Sequence, residues 1–171
     1  MKNLKKGFTL IELLVVVAII GIIASVVLVS LGDAKNKGGD ATVKSNLVNI
    51  RGQAEILYTT HGNYAVDSSP TYFALAQCTN TSDTMFSDNN IWEQIYAANS
   101  AGPKDLTQTR CYSASNAWAI AVKLKSSDGA TSGSSNTLPD SWCVDSGGAG
   151  KSYAWASGET IADAINATFC R

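Results

Sequence analysis

The stretch from Phe8 to Leu31, FTLIELLVVVAIIGIIASVVLVSL, carries one charged side chain, Glu12. As a helix rising about 1.5 Å per residue it is long enough to cross a hydrocarbon layer of about 30 Å, so it predicts a membrane helix. Lys2, Lys5 and Lys6 precede it and Asp33 and Asp40 follow it, which puts its start in the cytoplasm and the rest of the chain outside. A cleavable secretory signal has an apolar core of about 7 to 15 residues and a small-x-small cut site, and this run is too long for one. A plain single-span anchor accounts for length and orientation but leaves Glu12 unexplained.

A carboxylate in an apolar helix is costly in lipid and needs a partner, and none is expected within the run, which holds no other charged side chain. Either Glu12 snorkels to the headgroups or its partner comes from elsewhere. The segment KKGFTLIELLVVVAIIGIIASV resembles the N-terminal signature of type IV prepilins and the related pseudopilins. That resemblance implies cleavage after Gly7 by a prepilin peptidase and N-methylation of Phe8. It also places Glu12 fifth from the new terminus, where the family carries its glutamate. The Phe8 ammonium created by cleavage would then meet the Glu12 carboxylate of an adjacent copy and set the register of a helical homo-oligomer. The implied partners are the peptidase, the assembly platform with its ATPase, and the membrane before assembly. The implied location is the inner membrane with the head outside, then the cell surface. Two other readings stay open: a pseudopilin of a type II secretion system, and a membrane-tethered binding domain that never polymerises.

A chain of 171 residues has room for one domain besides this segment. Loss of a leader spanning residues 1–7 removes three of the 13 basic residues and leaves a mildly acidic chain against 14 acidic ones. No basic cluster outside the leader offers a footprint for nucleic acid. Cys78, Cys111, Cys143 and Cys170 are widely spaced, without a CxxC pair, which points to disulfides in an oxidising compartment. Three connectivities are open. The favoured one joins Cys78 to Cys111 and Cys143 to Cys170, since each bridge would tie a loop or the chain end to the sheet, contributing roughly 3 to 4 kcal/mol in the chain-entropy model.

The expected fold is α+β, a long N-terminal helix packed on a small antiparallel sheet of three to four strands, which is also the pilin fold implied by the resemblance. Val43, Leu47, Ile50, Ala54 and Leu57 make an apolar stripe, so residues 32–60 continue the helix of residues 8–31 for about 80 Å in all. Many pilins have a proline late in the apolar run; here Val29 and Ser30 stand there, and Gly32, Gly38 and Gly39 are softer break points. His61, Gly62 and Asn63 end the helix, and YTTHGNYAVD resembles the passage that follows it in pilins. The head, residues 61–171, is expected to hold an αβ loop (65–112) with one short helix near Ile91–Tyr96, a sheet (113–156) and a disulfide-closed end (143–171). AWAIAVKLKS alternates as a half-buried strand, SSDGATSGSSN is a loop, and SWCVD and KSYAWA are further strands around a turn at Ser146–Gly150. A fourth short strand or tail ends at Cys170.

Catalytic residues are not expected. DSGGAGKS ends like a phosphate loop, but Asp145 stands where its first glycine belongs. His61 has no base or nucleophile beside it in sequence. No cofactor or metal set emerges; Asp140, Asp145 and the backbone between them are the one candidate for calcium, without the alternating acidic ligands of a calcium loop. Trp118 and Trp142 are assigned to the core. Asn80 and Asn166 lie in glycosylation sequons.

Overall fold

The computed structural model describes residues 7–64, 73–80, 84–126, 140–166 and 168–171. The leader lysines, most of the Gly/Ser-rich loop and Thr81 and Ser82 of the Asn80 sequon lie outside them. Two compact units divide the chain, Met1–Lys35 and Asn36–Arg171. Helix α1 (Leu10–His61) contributes to both and is continuous through Gly32, Gly38 and Gly39.

In the second unit, α1 buries Val43, Leu47, Ile50, Ala54 and Leu57, the stripe expected from steps of three and four. The helix ends at Gly62, whose φ of +74° and N–H bond to the Tyr58 carbonyl (2.8 Å) form a left-handed cap. The stripe lies on one face of an antiparallel sheet. Its strands are β1 (Phe73–Ala76), β2 (Thr109–Ser113), β3 (Trp118–Lys123), β4 (Asp140–Asp145) and β5 (Gly150–Ala154), side by side in chain order. From β2 to β5 the register is continuous, whereas β1 meets β2 through an irregularity. The α+β architecture is therefore as expected, with the sheet beginning earlier in the chain than residue 113.

The two early strands lie inside the segment expected to be an irregular loop. β2 reads TRCYS, with Thr109 and Ser113 buried beside Cys111, so no apolar alternation betrays it. Its polar groups are instead satisfied locally: Thr109 Oγ1 donates to the Leu106 carbonyl (2.6 Å) and accepts from Cys78 N–H (3.3 Å). The expected short helix is α2 (Asn89–Ala101), capped by Asp88, whose Oδ1 accepts from Ile91 N–H (3.0 Å).

β3 also departs from expectation, because both of its faces are buried. Trp118, Ile120 and Val122, with Leu124 beyond the strand end, join the core under α1; Ala119 and Ala121 join a second core with Trp155, Ile161, Ala164 and Ile165. The chain end covers that far face as a two-stranded ribbon, β6 (Ile165–Asn166) and β7 (Phe169–Cys170), rather than adding a strand to the main sheet. Alanines on the far side of β3 leave room for it. Disulfides join Cys78 to Cys111 and Cys143 to Cys170. Trp118 is fully buried and Trp142 packs half-buried against the first core.

Candidate assembly site

In the first unit the apolar side chains of α1 have no partners among the described residues. Phe8 is 78% exposed and Leu31 61%, with every large apolar residue between them open as well. A helix apolar on all sides and uncovered needs a membrane or other helices. α1 is the one helix among the described residues long and apolar enough to cross a membrane. Ser25 is satisfied locally, its Oγ donating to the Ile22 carbonyl (2.7 Å). Gly21 is open, with nothing within 4 Å of where a Cβ would stand.

Glu12 lies in the first turn of α1. Its Oε2 accepts from the Thr9 N–H (2.8 Å) and the Thr9 hydroxyl (2.7 Å), and the Glu12 N–H donates back to Thr9 Oγ1 (3.3 Å). This reciprocal pair is a capping box, which satisfies donors that the start of a helix would otherwise leave open. It corrects the expectation that the apolar run holds no partner for Glu12: no charged partner lies there, but Thr9 supplies two donors. The Thr-x-x-Glu spacing was visible in the sequence and is the signal that identifies Thr9. Both contacts fall on Oε2. Since a carboxylate can accept about four hydrogen bonds, Glu12 can cap its own helix and still receive an ammonium. Gly7 and Phe8 precede the helix as exposed, non-helical residues, an accessible backbone next to Glu12.

The remaining candidates do not converge. Asp140 and Asp145 stand at opposite ends of β4, roughly 16 Å apart along a strand, too far to share one ion. Asp145 is occupied otherwise, its Oδ1 accepting from Ala149 N–H (3.0 Å) and its Oδ2 from Cys170 N–H (2.9 Å). Among the described residues no three His, Cys, Asp or Glu side chains cluster as metal ligands. Residues 146–149 of DSGGAGKS connect β4 to β5 and do not lead into a helix, as a phosphate loop does. His61 stays in the last turn of α1.

Residues 2–28 match the family model for the prokaryotic N-terminal methylation motif, the prepilin-like signature of type IV pilins and pseudopilins. No curated protein and no solved structure matches the chain. The motif supports a type IV pilin or pseudopilin-like protein, a structural class, and implies processing by prepilin peptidase and filament assembly.

Proposed function

We propose, taking the methylation motif of residues 2–28 as premise, that this chain is a structural subunit of a type IV pilus-like extracellular filament. The prepilin peptidase cuts between Gly7 and Phe8 and the new Phe8 amine is methylated. Until assembly, residues 8–31 hold the subunit in the inner membrane with the head outside. An assembly platform with its ATPase then moves the helix from lipid into the filament, where the apolar faces of neighbouring copies replace the acyl chains.

One observation carries this reading: Glu12 is the sole charge of the apolar run of residues 8–31, whose large apolar side chains are uncovered, and it lies four residues from the amine that cleavage would create. In low dielectric an ammonium and a carboxylate attract strongly, while either one unpaired is penalised. A neighbour displaced by one step along the fibre satisfies both, so the pair selects a register as well as holding copies together. A methylated amine keeps its charge and so keeps this contact.

Mass spectrometry of the mature N-terminus, together with shed-fibre yield from Glu12→Ala cells, tests the proposal. Expected are a terminus at Phe8 with one added methyl group, and a variant that inserts and is processed yet gives few fibres. An intact leader would favour the tethered binding domain. Short fibres that stay in the envelope and co-purify with a secretion apparatus would move the assignment to a pseudopilin, whereas normal fibre yield from Glu12→Ala would remove the register mechanism.

A further inference from the structure

In the second unit three aromatic rings form a file from core to surface. Trp118 on β3 is fully buried and meets Tyr64 edge-on, with ring centroids 6.4 Å apart. Tyr64, itself buried, meets Tyr58 of α1 at 4.8 Å, and Tyr58 is 40% exposed. The Tyr64 phenol donates to Glu55 Oε1 at 3.0 Å, one helical turn before Tyr58. Burial foremost, and then the Glu55 carboxylate, push the Tyr64 phenol up to about 12. Tyr64 therefore keeps its proton over the ordinary pH range. Packing explains why these rings touch. Burial gives the Tyr64 phenol reason to find an acceptor, but neither packing nor burial requires the file to end on an open phenol.

We propose that Tyr64 is a redox-active tyrosine, with Glu55 as its proton acceptor, relaying an oxidising equivalent from Trp118 to the surface phenol of Tyr58. A diffusible one-electron oxidant removes an electron from Trp118 and leaves an indole radical cation. Tyr64 returns that electron while its phenolic proton passes to Glu55 Oε1, giving neutral Trp118, a neutral Tyr64 radical and a protonated Glu55. Tyr58 then supplies an electron to Tyr64, which recovers its proton from Glu55, and the phenolic proton of Tyr58 goes to water. The net change is one electron to the oxidant and one proton to water, both from Tyr58, to which a soluble thiol-class reductant can return a hydrogen atom. The relay spares the indole at the centre of the first core, which also contains the Cys78–Cys111 disulfide. It is independent of the assembly reading.

The test uses the full mature chain in detergent, oxidised by photogenerated ruthenium(III) tris-bipyridine. Loss of Trp118 is read by peptide mass spectrometry and the radical site by paramagnetic resonance. In the wild type, Trp118 survives and the radical resides on Tyr58. Tyr64→Phe raises Trp118 loss several-fold. Glu55→Gln, which retains both rings, also raises it, and Tyr58→Phe leaves the radical on Tyr64. Tyr153→Phe, which removes a phenol packed against the second core that likewise donates to a carboxylate, changes nothing. Equal Trp118 loss in wild type, Tyr64→Phe and Glu55→Gln, at unchanged thermal midpoints, would overturn the relay. So would a Tyr153→Phe effect as large as that of Tyr64→Phe. If Tyr64→Phe fails to fold, Glu55→Gln alone decides.

Discussion

Several carboxylates fasten this chain by accepting from backbone N–H groups, and three of them act at the start of α1, between helix and sheet, and at the chain end. Glu12 closes the start of α1 through Thr9. Buried Asp40 on α1 accepts from the N–H of Lys125 (2.7 Å) and of Ser126 (2.9 Å) and from the Ser126 hydroxyl, tying the helix to the end of β3. Asp145 joins the 146–149 turn to Cys170. Hydrogen bonds to charged groups contribute about 1.5–3 kcal/mol, and amides left buried without partners add to the loss. Asp145→Ala should therefore lower stability by roughly 3 kcal/mol, seen as a shifted urea midpoint, with amide exchange fastest at Cys170 and Ala149. Thr9→Ala removes the capping hydroxyl, which is worth about 1 kcal/mol at a helix start, but keeps the backbone N–H that Glu12 uses. Its fibre yield should fall between wild type and Glu12→Ala; a yield as low as that of Glu12→Ala would mean that Thr9 has a role beyond capping.

Among the elements, α1 was the most legible. Its apolar run and the stripe from Val43 to Leu57 follow directly from residue spacing, because every side chain on that face meets one surface. The sheet was only half legible. β3, β4 and β5 alternate or are framed by turn residues, whereas β2 buries Thr109 and Ser113, and its strand identity comes from the neighbour it pairs with. The closure of β3 on both faces could not be read locally either, since the covering residues come from the chain end, pinned through Cys143–Cys170. The meeting of α1 and α2 is similarly hidden. A Cβ on Gly102 would stand 2.9 Å from Val43 Cγ2 and 3.1 Å from the Ala98 carbonyl oxygen. Gly102→Ala should cost about 1–3 kcal/mol through overpacking, measurable by thermal melting of the purified chain, while Gly52→Ala on the open face of α1 should not destabilise it.

For the whole molecule, the two cores on either side of the sheet make alkaline unfolding a test of the architecture. Tyr64 belongs to the first core and Tyr153 to the margin of the second. Each phenol is raised from its ordinary 10 to about 12, by burial first and then by its carboxylate partner, Glu55 or Glu159. A folded-state value above the unfolded one means the native state holds the proton more tightly. The associated stability is complete below pH 10 and is lost as pH rises through about 12. The thermal midpoint should fall steeply across that interval, and less steeply in Tyr64→Phe; a flat midpoint there would contradict the buried, bonded phenols.

The order of residues was enough to establish the apolar run of residues 8–31 with its single acid, the motif at its head and the amphipathic stripe, because each depends on neighbours one to four positions apart. The same holds in principle for the Thr9–Glu12 box. Folding in three dimensions settled what long separations hide: which cysteines meet, that β2 is a strand, that β3 is buried on both faces, and which amides Asp40 and Asp145 receive. Those features join groups tens of residues apart, and their energies come from burial and pairing that exist only once the chain has closed on itself.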